Sequence, residues 1–155
     1  MPYYSRKPTR IPKYDYSNNN CYFITLCTKN RNCIFGTPKQ LNYFGNVVKK
    51  HILELESHYA GLCVDRFVVM PNHIHLLLSM NMGKKNPDIR YVVAMFKAGV
   101  TREIRTVAGE MEVWQRSFHD HIIRNEKSYE KIWNYIEDNP RKWEEDCFYC
   151  RQEEI

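Results

Sequence analysis

Hydrophobic and polar positions follow two different periods in the first half of the chain. Residues 21–28 are rich in β-forming side chains and predict a strand. From Leu41 to about residue 61, apolar residues recur every three or four positions, which predicts an amphipathic helix. Residues 62–80 then predict a β-hairpin with its turn at Pro71-Asn72, because two apolar segments flank these turn-forming residues.

The second half of the chain continues the alternation of helices and strands. Asp88 is a suitable N-cap for a helix that runs to about Ile104. Residues 113–118 predict a further strand. Asn125 can cap a last amphipathic helix, which Pro140 would end because proline cannot continue a helix.

The order strand, helix, hairpin, helix, strand, helix predicts an α+β fold of ferredoxin-like type. Its antiparallel sheet would carry helices packed on one face. A length of 155 residues fits one domain, 1–155. Residues 1–19 predict a basic irregular arm, and residues 143–155 form an acidic tail.

Composition narrows the class of protein only a little. Hydrophobic residues make up 43% and charged residues 26% of the chain, as in soluble globular proteins. We expect a cytoplasmic protein with no membrane partner, because no segment has the length of a membrane helix or the apolar core of a signal peptide. The six cysteines would then be reduced. Cys147 and Cys150 form an isolated C-x-x-C pair, which lacks the second pair that a zinc site needs.

The chain is mildly basic and rich in aromatic residues. Its formal net charge is +5, and it contains 11 Tyr, 7 Phe and 3 Trp. A basic chain can bind phosphates, and tyrosine side chains can stack on unpaired bases. These features are compatible with a nucleic-acid partner but are insufficient to establish one.

Two histidines on the second strand of the hairpin are the main candidates for chemistry. His73 and His75 flank Ile74, so both would point to one face of the strand while Ile74 points to the other. Two imidazoles on one rigid face can hold a metal ion. The alternative is a pair of merely exposed histidines. A second pair, His119 and His121, could complete a zinc site with the first.

The last helix supplies two further candidates. Tyr135 and Asn139 are four residues apart and therefore lie on one flank of the helix. Asn139 can offer a carbonyl oxygen to a metal, and Tyr135 can act as a nucleophile. A phenol has a pKa near 10 and needs assistance at neutral pH, which a metal bound to a phosphate can give. The resulting phosphotyrosine ester would conserve the energy of the broken bond, which suits cleavage followed by rejoining.

Four segments resemble the bacterial single-tyrosine transposases of the HUH type found in insertion sequences. The residues from Val69 to His75 resemble their His-hydrophobic-His motif, and residues 133–140 resemble their nucleophile helix. Residues 21–31 are similar to their first strand, and residues 118–124 also fit. The resemblance covers about residues 14–142 and is nearest to the REP-associated tyrosine transposases, which process single-stranded DNA bearing palindromic hairpins.

The resemblance implies an enzyme with a defined set of site residues. His73 and His75 would bind Mg²⁺ or Mn²⁺ with Asn139 as the third ligand, although many relatives have Gln at that position. Tyr135 would attack a DNA phosphate to form a 5′-phosphotyrosine link and release a 3′-OH. The partner would be single-stranded DNA with hairpins, and the protein could act as a homodimer or as a monomer.

Other functions remain open at this point. The chain could be a replication-initiation-type nickase, a catalytically silent DNA-hairpin-binding protein, or a zinc-binding structural protein that uses both histidine pairs. Candidate DNA contacts are basic residues of the arm, the loop after the hairpin and the later elements. They are Arg6, Lys7, Arg10, Lys84, Lys85, Lys97, Arg116, His119 and Arg124.

Overall fold

The computed structural model of the protein describes residues 21–80 and 87–149. The predicted basic arm at residues 1–19 and the predicted DNA contacts Lys84 and Lys85 lie outside these ranges. The elements, in chain order, are β1 Cys21–Cys27, α1 Tyr43–His58, β2 Leu62–Met70, β3 His73–Met80, α2 Ile89–Ala108, β4 His119–Ile123 and α3 Glu126–Asp138. Single 3₁₀ turns follow β1 and α3, at Lys29–Arg31 and Trp143–Glu145.

The strands form one antiparallel sheet in the order β2-β3-β1-β4. In the pairing of β1 with β3, Thr25 lies opposite His75 and Cys27 lies opposite His73. The predicted α+β class and the antiparallel sheet are therefore confirmed. β3, which carries the two candidate histidines, is an inner strand and lies beside β1.

Helix capping follows the sequence closely. The side chains of Asn42, Asp88 and Asn125 accept backbone N–H bonds from the first turns of α1, α2 and α3, at 2.9, 2.8 and 2.8 Å. Such caps satisfy N–H groups that have no partner within the helix. The caps predicted at Asp88 and Asn125 are confirmed.

The two faces of the sheet are covered by different helices. The larger core joins α1 and α2 to the face that carries Ile74, Leu76 and Leu78 of β3. A smaller cluster joins α3 to Leu77 on the other face. Helices α1 and α2 share one face as predicted, whereas α3 departs from that expectation, because the apolar residues on the second face also require cover.

The strand predicted at residues 113–118 is wrong. In this segment Trp114 forms only an isolated bridge with Thr28, and Ser117 has φ 68°. The strand instead begins at His119. Val113 is buried in the larger core although its backbone is irregular, so an apolar side chain at this position does not require a strand.

Candidate metal and tyrosine site

The histidine pair lies on β3, directed to the face that α3 covers. His73 and His75 are 0% and 2% exposed, and their ring centroids are 4.7 Å apart. His73 Nδ1 donates to Asn72 Oδ1 at 2.8 Å. His75 Nδ1 lies 2.9 Å from the Thr25 hydroxyl oxygen. Both Nδ1 atoms are therefore engaged, which leaves the two Nε2 atoms for another partner.

Asn72 fixes the tautomer of His73. Its Nδ2 donates to the backbone oxygens of Arg31 and Phe148, at 3.2 and 2.8 Å. The amide oxygen is thereby the atom that faces His73, so His73 carries its proton on Nδ1 and has a lone pair on Nε2. A second partner that orients the ring in this way is typical of metal-binding histidines.

Asn139 lies at the C-terminal end of α3 and is 3% exposed. Its Nδ2 donates to Asp146 Oδ2 at 2.8 Å. This bond directs the amide oxygen Oδ1 away from Asp146 and leaves it without a hydrogen-bond partner within the described residues. The third predicted ligand therefore presents an acceptor atom, as a metal would require.

Unpartnered polar atoms concentrate at this site. Across residues 21–80 and 87–149, four buried side-chain N or O atoms have no hydrogen-bond partner. Three of them are His73 Nε2, His75 Nε2 and Asn139 Oδ1, and the fourth is Trp114 Nε1. Buried polar groups are nearly always bonded, so three such atoms at the predicted site form a donor set that fits a metal ion.

Asp146 is a site residue that the sequence did not predict. Its side chain is 2% exposed, and Oδ2 lies 3.8 Å from His73 Nε2. One ligand atom each from His73, His75 and Asp146 lie within 4.8 Å of one another, so this group could hold a metal ion. Only the acidic character of the tail pointed towards it, and that character did not distinguish Asp146 from Glu144 or Glu145.

Burial sets the charge state of the imidazoles. It lowers the pKa of His73 to about 4, although the Asp146 carboxylate acts in the opposite direction. Burial and the neighbouring His73 hold the pKa of His75 well below its usual value. Both rings are neutral at pH 7, the state in which imidazole binds metals.

Tyr135 lies beside the histidines at the edge of solvent. Its ring centroid is 5.3 Å from that of His75, and the side chain is 43% exposed. Burial, followed by the Asp146 carboxylate, raises the pKa of the phenol. Tyr135 also lines a cleft of about 480 Å³ with Asn139, Lys131 and Lys142. A protonated phenol thus faces a space in which two cations are available.

The residues predicted to contact DNA differ from one another in exposure and position. Arg116, His119 and Arg124 are exposed, and Arg124 follows the end of β4 remote from His73. Lys97 is half-buried and donates to two backbone oxygens, at residues 115 and 117. Arg6, Lys7 and Arg10 lie outside the described residues.

The predicted alternative of a zinc site with four histidines gains no support. Within the described ranges, the group of possible metal ligands contains His73, His75 and Asp146 but neither His119 nor His121. Cys147 is exposed, and Cys150, the other cysteine of the C-x-x-C pair, lies outside the described residues.

Comparison with known proteins identifies the family. Residues 17–139 match the family described as "Transposase IS200 like". The chain belongs to this family. It is 36% identical to an uncharacterized protein of Haemophilus influenzae over 93% of both chains. It is 28% identical to a REP-associated tyrosine transposase of Escherichia coli K12, over 82% of this chain and 70% of that protein.

The fold is likewise that of the IS200-like transposases. A solved structure of a REP-associated tyrosine transposase bound to a REP hairpin matches with a TM-score of 0.58 and 22% identity, over 92% of this chain and 74% of that one. The predicted resemblance, including the similarity to REP-associated enzymes, is confirmed. The family match contains His73, His75, Tyr135 and Asn139 and ends before Asp146.

None of the helices within residues 21–80 and 87–149 combines the length and apolar character needed to cross a membrane.

Proposed function

We propose that this IS200-like transposase is a metal-dependent enzyme that cleaves and rejoins single-stranded DNA near hairpins. Tyr135 is the proposed nucleophile. The observation that carries the proposal is the position of its ring 5.3 Å from that of His75, beside three buried ligand atoms that have no partner among the described residues. The hairpin bound in the related solved structure supports the choice of substrate.

The donor set fits a divalent cation. His73 and His75 would each supply Nε2, Asn139 would supply Oδ1, and the Asp146 carboxylate lies next to them. A set with both nitrogen and oxygen ligands suits Mn²⁺, and Mg²⁺ is compatible with the oxygen ligands. When bound, such an ion withdraws charge from the scissile phosphate and orients it for in-line attack.

The residues of the chain divide the remaining work. The phenolic oxygen of Tyr135 attacks phosphorus, the bond from phosphorus to the 3′ oxygen breaks, and the DNA 5′ end becomes linked to Tyr135. The phenol loses its proton to solvent, and the departing 3′ oxygen gains one from solvent. Lys131 and Lys142 in the adjoining cleft can hold neighbouring phosphates. Because the ester conserves the energy of the broken bond, attack by a 3′-OH reverses the step and rejoins strands.

Tyr135 and the histidines approach one another within a single chain. This proximity supports action of Tyr135 in cis, so that a monomer would carry a full set of catalytic groups. A homodimer that exchanged α3 between subunits would separate Tyr135 from its own His75 and would require a different path for the chain between β4 and α3.

Trapping of a covalent adduct tests the proposal. The protein is incubated with Mn²⁺ and labelled single-stranded hairpin DNA and is then run on a denaturing gel. We expect an adduct with the wild type that is absent with Tyr135→Phe. Tyr91→Phe is the matched control, since Tyr91 is 58% exposed on α2 and is the same residue type, and it should still form the adduct.

Three results would contradict the proposal in different ways. DNA that is shifted on a native gel but never attached indicates a silent hairpin-binding protein. An adduct that does not return to intact DNA when a 3′-OH strand is added indicates a nickase. An adduct that persists in Tyr135→Phe places the nucleophile elsewhere.

A further inference from the structure

A basic groove runs along α2, on the opposite side of the sheet from Tyr135. It has a volume of about 870 Å³ and lies between α2 and the irregular segment 112–116. One acidic residue, Glu112, faces five basic residues in its walls. The basic residues are Lys29, Lys97, Arg102, Arg105 and Arg116.

The fold holds this groove in a defined shape. Lys97 donates to the backbone oxygens of Gln115 and Ser117, at 2.8 and 3.1 Å, and so attaches the irregular segment to α2. Ser117 has a left-handed φ of 68°, which turns the chain at this point. Arg105 Nε donates to the Met111 oxygen at 3.2 Å. The strand predicted at residues 113–118 did not anticipate these hydrogen bonds.

Two arginines of the groove keep their charge available. Arg102 and Arg116 are exposed, and the guanidinium of neither forms a hydrogen bond or ion pair with another residue of the described ranges. Glu112 is already engaged, because one of its oxygens lies 3.5 Å from Lys29 Nζ. The groove therefore carries an excess of positive charge that its own side chains do not neutralise.

The groove continues towards the catalytic centre. A second cleft of about 410 Å³ shares Lys29, Gln115 and Arg116 with it and extends to Thr25. Thr25 lies on the face of β1 that is turned towards α3, and its hydroxyl oxygen is 2.9 Å from His75 Nδ1. The joined clefts thus pass from α2 around the edge of the sheet to the neighbour of a proposed metal ligand.

We propose that this groove binds the sugar-phosphate backbone of single-stranded DNA and leads it to Tyr135. The occupant is single-stranded because the path changes from one face of the sheet to the other, which a duplex with a persistence length of about 150 base pairs cannot follow without a large bending cost. Trp114 and Phe118 also line the clefts, although both are partly buried against the larger core. The destination of the strand rests on the proposed function, but its binding does not.

Binding is measured without cleavage, so that the two proposals are tested separately. Fluorescence anisotropy of labelled oligothymidine is followed in EDTA over a range of salt, with Tyr135→Phe as the parent protein. The groove variant combines Arg102→Gln and Arg116→Gln. The control combines Lys39→Gln and Lys49→Gln, which are exposed outside both clefts and remove the same charge.

We expect the groove variant to bind oligothymidine about tenfold more weakly at 0.1 M salt. We also expect the slope of log affinity against log salt to fall by about 1.4, from two lost phosphate contacts at about 0.7 each. The control should retain the parent's affinity and slope. All variants should keep the parent's melting temperature, because the altered side chains are exposed.

Two outcomes would contradict binding of DNA in the groove. The first is an unchanged affinity for oligothymidine in the groove variant. The second is an equal loss of affinity in the groove and control variants, which would indicate only attraction by the net positive charge of the protein. A loss for a duplex of the same length that exceeds the loss for oligothymidine would contradict the single-stranded occupant. Weakened binding in the groove variant, in a protein that never forms an adduct, would support the groove and reject the enzymatic proposal.

Discussion

The two faces of the sheet differ in the side chains that they bury, although they share the same strands. The face towards α1 and α2 is closed by apolar side chains, including Ile74 and Leu76 of β3. The face towards α3 places His73, His75 and Asn139 in a buried site with acceptor atoms that have no partner within the described residues. The first face holds the larger apolar cluster, whereas the second leaves buried polar atoms without a partner among the described residues, which lowers stability but allows a ligand to bind.

Ile74→Ala should have the largest effect on stability. Ile74 is 0% exposed in the larger core, and removal of its side chain should lower the free energy of unfolding by about 2–5 kcal/mol. Urea denaturation measures this change. The variant should still respond to Mn²⁺ with a raised melting temperature, since the neighbouring histidines point to the other face. Loss of that response would show that the two faces do not act independently.

Acidification should act mainly through the second face. Between pH 6.5 and pH 5 in EDTA, the unfolded chain binds protons on histidine while buried His73, with its pKa lowered to about 4, does not. The unfolded state then holds more protons, so the free energy of unfolding falls with falling pH, with a slope that approaches about 1.4 kcal/mol per pH unit for each buried imidazole near pH 5. Urea titrations at several pH values measure the slope.

The variant that sharpens this prediction is His73→Gln. It should show a smaller slope than the wild type over the same pH range, whereas Ile74→Ala should keep the wild-type slope at a lower stability. Equal slopes in His73→Gln and the wild type would contradict the assignment of the effect to this imidazole.

Removal of Asp146 should have the smallest of the three effects. Asp146→Asn keeps the shape of the side chain and an oxygen that can accept from Asn139, but it removes the negative charge 3.8 Å from His73. Mn²⁺ affinity, measured from the rise in melting temperature with metal concentration, should fall about tenfold, within the range of about 10–100-fold seen for outer partners of metal ligands. His75→Ala should remove the rise altogether.

If Asp146→Asn abolishes the Mn²⁺ response as His75→Ala does, Asp146 is an obligatory ligand. If Mn²⁺ affinity does not fall in Asp146→Asn, the only role of Asp146 is to orient Asn139. The matched control is Glu144→Gln, which neutralises an exposed carboxylate of the same segment and should leave the Mn²⁺ response unchanged.

Local pattern was sufficient for much of the fold because the period of two along β3 fixes which residues share a face. It predicted that His73 and His75 would lie together and opposite Ile74, and the register of the sheet agrees. The caps Asp88 and Asn125 were predictable for a similar reason, since a cap depends on the residues that immediately follow it.

Other features depend on the path of the chain in space. The amphipathic stripe of α3 shows that the helix must pack, but it does not state which face of the sheet it covers. Asp146 reaches the site because the chain turns after α3 and forms a 3₁₀ turn at Trp143–Glu145. Val113 is buried in the larger core, and Trp114 and Phe118 pack against it partly buried, all from an irregular backbone. The composition of this segment therefore resembles that of a strand, although the strand pairing is absent.

Asn72 has a consequence that extends beyond the tautomer of His73. Its single amide group joins the turn of the hairpin, the backbone of Phe148 and the proton on His73. The aromatic ring of Phe148 also lies over His73, with centroids 4.5 Å apart. Docking of the C-terminal segment and presentation of the imidazole lone pair are therefore thermodynamically linked: docking changes the affinity of His73 for a ligand by the same factor by which that ligand changes the docking equilibrium.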